Sequence, residues 1–196
     1  MNQKQLDAQS QLDKLAQALI DNNPAPELEF TATQLVFGSG NPQADIMFIG
    51  EAPGKHEDES GMPFVGAAGK FLNEMLASID LSRQDIYITN IVKYRPPNNR
   101  DPLPVEKAAF WPYLLKQIFI IKPKVVVTLG RHSGQAFLPD LRIGADHGKS
   151  KVRSVIITDK QQELVILPLY HPAAALYNGG LRTTLIKDFQ QLKQCI

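Results

Sequence analysis

Short apolar runs alternate along this chain with longer segments in which apolar residues recur at helical spacing. The runs predict strands at 46–49, 86–92, 124–130, 152–158 and 164–169. The helical spacing predicts helices at 3–22, 67–79, 104–121, 131–138 and 181–193. Segments 27–44 and 143–151 are predicted loops, and 159–162 a predicted turn. Strands that alternate with helices predict a mostly parallel sheet covered on both faces.

Two loops that directly follow predicted strands carry titratable residues. Gly50-Glu51-Ala52-Pro53-Gly54 comes after the run 46–49, and Tyr170-His171-Pro172 comes after 164–169. Asn90 lies near the exit of the strand at 86–92. Because open α/β sheets bind ligands beyond the carboxyl ends of their strands, these loops predict one shared cleft.

Composition narrows the possible classes of protein. A length of 196 residues with 43% hydrophobic content predicts one domain, with an N-terminal docking helix at 1–22 and a core at 23–196. The formal net charge is only +1, so any contact with nucleic acid would have to be local. No apolar run could span a bilayer and the N-terminus is polar, so we expect a cytoplasmic protein. Cys195 is the only cysteine, which excludes an internal disulfide and any multi-cysteine metal site.

Five motifs in consistent order resemble those of the family 4 uracil-DNA glycosylases. They are found at 50–54, 63–70, 89–93, 95–100 and 171–173, and the resemblance runs from Leu28 to the C-terminus. It implies a three-layer α/β/α sandwich around a four-stranded, mainly parallel sheet. It also implies a monomer that flips a nucleotide out of DNA, single- or double-stranded, and hydrolyses the N-glycosidic bond of deoxyuridine.

The resemblance assigns roles to six residues of the predicted cleft. It makes Glu51 and His171 catalytic, and the substrate-binding residues would be Gly50, Ala52, Phe64 and Asn90. Phe64 would stack on the base, Asn90 would read its edge, and His171 would hydrogen-bond uracil O2. Glu51 would either orient a water or stabilise the cationic sugar, and the sequence leaves both roles open.

Contacts with DNA would come from basic residues in loops and from one apolar wedge. The predicted DNA-binding residues are Lys55, His56, Lys93, Arg95, Arg100 and the wedge Leu176, with Lys149 and Lys151 as further candidates. For most of the charged residues a solvated surface position is an equally good interpretation. His132 and His147 belong to no motif and are interpreted as surface or loop residues.

One departure from the family concerns its iron–sulfur cluster. Family 4 enzymes hold a 4Fe–4S cluster on four cysteines, and the motifs align those positions with Asn23, Pro26, Tyr94 and Phe110. None of these side chains offers a thiolate, so we expect no cluster, and the two aromatic residues could fill the space by apolar packing.

Two other functions compete with the glycosylase hypothesis. Loss of the cluster could have left a module that binds uracil or damaged DNA without cleaving it. An unrelated nucleotide-binding α/β enzyme is disfavoured because no glycine-rich phosphate fingerprint follows a strand.

Overall fold

The computed structural model describes residues 2–157 and 160–195. The helices found there begin and end as follows: α1 Gln3–Asn22, α2 Pro26–Thr31, α3 Lys55–Ser60, α4 Ala67–Ala77, α5 Pro104–Ile121, α6 Arg131–Phe137, α7 Ile143–Asp146, α8 Ala174–Tyr177 and α9 Gly180–Gln190. Short 3₁₀ turns lie at Pro97–Asn99 and Gln191–Gln194. The strands are β1 Ser39–Gly40, β2 Ile46–Gly50, β3 Ile86–Asn90, β4 Val125–Leu129, β5 Lys151–Ile157 and β6 Lys160–Leu169.

The strands of the described residues form one sheet in the order β1-β3-β2-β4-β6-β5. β2, β3, β4 and β6 run parallel at the centre, and β1 and β5 are antiparallel edges. Every residue of β2, β3 and β4 is buried, as their continuous apolar runs predict. The predicted four-stranded core is therefore present, and two edge strands extend it to six.

Alternate residues of the central strands pack into two apolar cores, one on each face of the sheet. Met47, Ile49 and Val126 pack on one face with residues of α1 and α5. Phe48 and Val127 pack on the opposite face with residues of α4 and α9. This alternation follows from the pleat of a strand and produces the predicted three layers.

Helix α1 matches its prediction at both ends because each end has a local cap. The Asn2 side chain accepts from the main-chain N–H of Gln5, and the Gln5 side chain accepts from that of Asn2, at 2.9 Å each. Asn23 takes a left-handed conformation with φ of 38° and closes the helix. Within the described ranges, no helix combines the length and the apolar character needed to cross a bilayer.

The structure corrects the sequence prediction mainly at short elements. Segment 27–44 contains most of α2 and all of β1, and 143–151 contains α7, although both were predicted to be loops. Helices α3 and α8 were not predicted at all. Residues 160–162 belong to β6 rather than to a turn, while predicted strand residue 158 and predicted turn residue 159 lie outside the described residues. Elements of two to six residues are too short to show a clear hydrophobic period.

Candidate active site

A cavity of about 600 Å³ opens beyond the carboxyl ends of β2, β3 and β6. Its lining includes five of the six predicted catalytic and substrate-binding residues, namely Glu51, Ala52, Phe64, Asn90 and His171, and Gly50 is not among them. They come from four separate segments, and the parallel strands bring three of those segments to one edge. The predicted shared cleft is therefore present, and its volume suits a small flat ligand.

Gly50 and Asn90 are the last residues of β2 and β3, and of the two only Asn90 lines the cavity. The two residues are paired in register, and the Ile91 N–H donates to the Gly50 carbonyl at 3.0 Å. A β-carbon added at Gly50 would lie 2.7 Å from Phe64 Cζ and would also overlap Asn90 Oδ1. Position 50 is therefore restricted to glycine by close approach. Ala52 lies one residue beyond Glu51 and also lines the cavity.

Phe64 is held against the cavity in a backbone conformation unusual for an aromatic residue. Its φ is 55°, in the left-handed region, which costs a residue with a side chain about 1–2 kcal/mol. Arg83 offsets this cost by donating to the Pro63 carbonyl at 3.0 Å and to the Phe64 carbonyl. Any side chain at Gly69 would collide with that same Phe64 carbonyl. The ring is buried and stacks on His171 with centroids 5.6 Å apart.

Glu57 fixes the loop that follows Phe64. Its Oε1 accepts from the main-chain N–H groups of Val65 and Gly66, each at 2.9 Å, directly before α4 begins. A carboxylate is favoured at a helix N-terminus because the first N–H groups have no partner within the helix. Glu57 also lines the cavity, although no motif in the sequence pointed to it.

The hydrogen bond that the His171 ring accepts determines which of its two nitrogens carries the proton. The Ala173 main-chain N–H donates to His171 Nδ1 at 3.1 Å, so Nδ1 carries no proton. Burial lowers the pKa of His171 to about 4, with a smaller opposing effect from the charge of Glu57. At neutral pH the ring is therefore uncharged and carries its proton on Nε2. His171 therefore provides a neutral Nε2–H donor beside the Phe64 ring.

Glu51 is a carboxyl group in a poorly solvated position. Its Oε1 is buried and has no hydrogen-bond partner among the described residues. Burial, followed by the negative charge of Asp101, raises its pKa from 4.5 to about 7, and Lys107 and Arg131 lower it by smaller amounts. Near neutral pH the carboxyl therefore exists in both protonation states. A pKa shifted toward the working pH by burial in a cleft is typical of a functional carboxyl.

Glu51, Asp101 and His132 could be considered as ligands of a metal ion, because their ligating atoms lie within 4.8 Å of one another. The geometry argues against this interpretation. Glu51 Oε1 approaches His132 Nδ1 at 3.6 Å, whereas Asp101 Oδ2 approaches Nε2 at 3.4 Å. A single ion needs both carboxylates on the same ring nitrogen, so this arrangement fits a bridging imidazole better than a metal centre.

Lys93 contradicts the prediction that it contacts DNA. It is fully buried, and its Nζ donates to Thr89 Oγ1 and Gln117 Oε1 at 2.6 Å and to the Asn90 carbonyl at 2.7 Å. Burial lowers its pKa well below the ordinary value. The motif position is therefore structural: Lys93 supports the main chain beneath Asn90. The Asn90 side chain itself is buried, with Oδ1 unpartnered among the described residues and beside the cavity.

The other predicted DNA-binding residues differ in their exposure and in whether neighbouring side chains already bind them. Lys55 and His56 are exposed on α3, and Leu176 is exposed on α8. Arg95 donates to Asn99 Oδ1 at 2.7 Å. Arg100 lines the cavity but makes a bidentate pair with Glu106 at 2.6 and 2.9 Å, which neutralises much of its charge.

The further candidates Lys149 and Lys151 are also engaged locally. Lys149 donates to the Ala145 carbonyl at 2.9 Å, and Lys151 pairs with Asp146 at the same distance. Tyr177, which follows Leu176, lines the cavity and is 91% exposed. Its exposed ring is available at the mouth of the cavity.

The four positions aligned with the iron–sulfur ligands do not fit such a cluster. Tyr94 and Phe110 are both buried, and their rings meet edge to face with centroids 6.1 Å apart. Both belong to the core shared with α1. Asn23 caps α1 and Pro26 begins α2, so neither offers a soft ligand. Apolar packing therefore occupies the two aligned positions at Tyr94 and Phe110.

Sequence reasoning missed three residues that shape the site, namely Glu57, Arg83 and His132. None carries a chemical signature of its own in the sequence. In the folded chain Glu57 lines the cavity, and Arg83 and His132 contact the cavity residues Phe64 and Glu51. His147 was interpreted as a surface or loop residue, and it lies directly after α7. Its Nδ1 is 2.6 Å from Asp188 Oδ2, so this pair connects the end of α7 to α9.

Comparisons with known proteins agree with this geometry. The model of the uracil DNA glycosylase superfamily matches residues 37–193. The type-4 uracil-DNA glycosylase of Sulfurisphaera tokodaii is 46% identical over 93% of this chain and 84% of its own. That of Archaeoglobus fulgidus is 48% identical over 85% of this chain and 84% of its own, and that of Thermotoga maritima 40% over 86% of each. The chain therefore belongs to the uracil-DNA glycosylase superfamily, as a member of its type-4 group.

Proposed function

We propose that this protein is a monofunctional uracil-DNA glycosylase that hydrolyses the N-glycosidic bond of deoxyuridine in DNA, releasing uracil and leaving an abasic site. The observation that carries the proposal is the convergence of Glu51, Phe64, Asn90 and His171 on one cavity. The names of the type-4 relatives support the same activity. The site would act in DNA repair on uracil that has been flipped out of the stack.

Phe64 and Asn90 would recognise the flipped base. The buried Phe64 ring offers an aromatic face at one side of the cavity, and a flat base gains stacking energy there. Asn90 Oδ1 is an unpartnered acceptor that can take uracil N3–H, while the amide nitrogen donates to O4. Cytosine presents the opposite polarity at these two positions, so the pair would favour uracil.

His171 would stabilise the departing base. Since its Nδ1 is already occupied by the Ala173 N–H, the free donor is Nε2–H, which would hydrogen-bond uracil O2 as negative charge develops there. Because the ring is neutral at neutral pH, it needs no proton from solvent before each turnover. A donor aimed at charge that appears only in the transition state contributes about 3 kcal/mol to the lowering of the barrier.

Glu51 would act in its ionised form on the sugar side of the bond. A carboxylate there can stabilise the cationic sugar or orient the attacking water, and both roles require loss of its proton. With a pKa of about 7 in the free protein, the rate of base release should rise with pH through that value. A rate independent of pH between 5.5 and 8.5 would contradict this role for Glu51.

The DNA would lie across the mouth of the cavity. Lys55 and His56 on α3, with Arg95 and Arg100 beside the 3₁₀ turn at 97–99, would contact phosphates. Leu176 would enter the space left by the flipped nucleotide. We propose that the substrate is uracil-containing DNA, single- or double-stranded, and that the protein works as a cytoplasmic monomer. Gel filtration with light scattering tests the monomeric state.

We also propose that no iron–sulfur cluster is needed. The support is the absence of a thiolate at Asn23, Pro26, Tyr94 and Phe110, together with the aromatic contact between the last two. The purified protein should be colourless and folded, and should contain less than about 0.1 iron atom per chain, because cluster assembly needs thiolate ligands. Stoichiometric iron with visible charge-transfer absorption would refute this part of the proposal.

Abasic-site formation on uracil-containing oligonucleotides, single-stranded and mispaired with guanine, tests the whole proposal in the presence of a chelator. Under single-turnover conditions His171→Ala should be roughly 100-fold or more slower, the usual result of losing one transition-state donor. Asn90→Ala should lose discrimination against cytosine as well as rate. Asn22→Ala, an exposed substitution on α1, is the matched control and should be unchanged.

The second candidate function is a module that binds uracil-containing DNA without cleaving it. It follows if the wild-type protein binds the uracil strand at enzyme excess yet forms no abasic sites. In that outcome the same cavity would be a recognition pocket, and Asn90→Ala would weaken binding while Glu51→Gln would not.

A further inference from the structure

His132 lies beside the predicted catalytic carboxyl, although the sequence gives it no role. It is the second residue of α6 and is partly buried. Its Nδ1 lies 3.6 Å from Glu51 Oε1, which is the oxygen that is buried without a hydrogen-bond partner among the described residues. No closer donor to this oxygen is found there. The mechanism outlined above does not use His132.

The neighbours of His132 determine where its proton lies. The guanidinium of Arg131 approaches Nε2 at 3.3 Å, and a guanidinium can only donate. In the neutral ring Nε2 is then the acceptor, and the proton belongs on Nδ1, the nitrogen that faces Glu51. Burial lowers the pKa of His132, which favours this neutral form. Asp101 Oδ2, at 3.4 Å from Nε2, could accept only from an Nε2–H, and the contact of Nε2 with Arg131 disfavours a proton on that nitrogen.

We propose that His132 is a positioning residue for Glu51, which it holds ionised and oriented by donating Nδ1–H to Oε1. The inference rests on the proposed function, since it gives Glu51 a role in the glycosylase reaction. Once Oε1 is engaged, Oε2 is the oxygen left for the sugar or the attacking water. The distance of 3.6 Å is long for a hydrogen bond, but catalytic hydrogen bonds of unliganded enzymes commonly shorten when substrate binds.

The charged groups around Glu51 and His132 raise or lower the pKa values of these two residues. Asp101 raises the pKa of Glu51, whereas Lys107 and Arg131 lower it. The same three groups act on the pKa of His132, with Asp101 raising it and the two cations lowering it. These effects remain when His132 alone is replaced, so a change in the titration of Glu51 would report the lost Nδ1–H donor.

Three substitutions separate a donor role from a packing role. His132→Ala removes the donor, His132→Asn keeps an amide N–H near the position of Nδ1, and His132→Gln moves it toward the position of Nε2. In single-turnover base release, the acid limb of the pH–rate profile should move up by about one pH unit in His132→Ala and His132→Gln, the usual effect of one lost hydrogen bond to a charged group. Below the limb the rate should fall about 10-fold, and above pH 9 it should match the wild type. His132→Asn should restore the wild-type limb.

The titration of Glu51 can also be measured without catalysis. In protein labelled with ¹³C at the glutamate carboxyls, the Glu51 signal is the one missing from Glu51→Gln. Its midpoint in the free protein should rise in His132→Ala and return in His132→Asn. If the wild-type protein shows no base release, the proposed glycosylase function fails. The titration of Glu51 still tests the contact between His132 Nδ1 and Glu51 Oε1 in that case. An unchanged midpoint, or a rate lowered equally at every pH in all three variants, would overturn the proposal.

Discussion

Replacing Glu51 with glutamine should stabilise the protein at alkaline pH while removing its activity. Burial raises the pKa of Glu51 from 4.5 to about 7, so the folded state holds this proton more tightly than the unfolded chain does. The free energy of unfolding therefore loses this contribution as pH rises from 4.5 through 7. The full loss corresponds to about 3 kcal/mol, since one pKa unit is about 1.4 kcal/mol.

Urea denaturation at pH 5 and at pH 8.5 measures the effect directly. Glu51→Gln should be up to about 3 kcal/mol more stable than wild type at pH 8.5, because the amide is never ionised, and close to wild type at pH 5. The matched control is Glu163→Gln, at an exposed position of β6, which should not change the difference between the two pH values. Equal effects of Glu51→Gln at both pH values, or destabilisation at pH 8.5, would refute the reasoning that this carboxyl is poorly solvated.

Three further predictions concern residues that support the site. Tyr94→Ala and Phe110→Ala should each lower the free energy of unfolding by roughly 3–5 kcal/mol, because each leaves a cavity in the core; negligible changes in the denaturation midpoint would refute the packing role. Lys93→Met should cost about 3 kcal/mol by leaving three acceptors unpaired, and Lys70→Met, at an exposed position of α4, should cost almost nothing in the same urea titration. Arg83→Gln should reduce kcat/KM on uracil DNA roughly 10-fold by freeing the Phe64 loop, a loss equal to about one hydrogen bond to a charged group; unchanged kinetics would show that the loop holds itself.

The sequence predicted the elements whose patterns are long or continuous. α1 and α5 were predicted with the same boundaries that the structure has, because both have clear helical spacing and local signals at their ends. β2 and β4 were recognised because a strand buried on both faces is a continuous apolar run. α2, α3, α7, α8 and β1 were missed because they contain at most six residues. Their stability comes from contacts with the rest of the fold, which no local pattern records.

The sequence predicted the site residues that belong to a motif of their own. It missed residues that act on the site through another side chain. Glu51 and His171 lie just beyond strands and Asn90 ends one, and the end of a parallel strand predicts a place at the ligand-binding edge of the sheet. Lys93 was misplaced because a basic residue near a strand end resembles a phosphate contact, and only the three-dimensional structure reveals its burial. His132 was missed because its relation to Glu51 crosses 81 positions of sequence.

The position of β6 within the sheet has a consequence for how the protein is made. β6 lies between β4 and β5, although both precede it in the chain, and His171 lies two residues after β6 ends. During synthesis, Asn90, which is predicted to read the base, therefore emerges from the ribosome well before His171, which is predicted to stabilise the departing base. β5 must wait for β6 because β6 is its only partner in the described sheet. The pairing of β4 with β6 joins residues that are distant in sequence, such as Val125 and Val165. Because such contacts close slowly, recovered activity should be among the last signals to return during refolding.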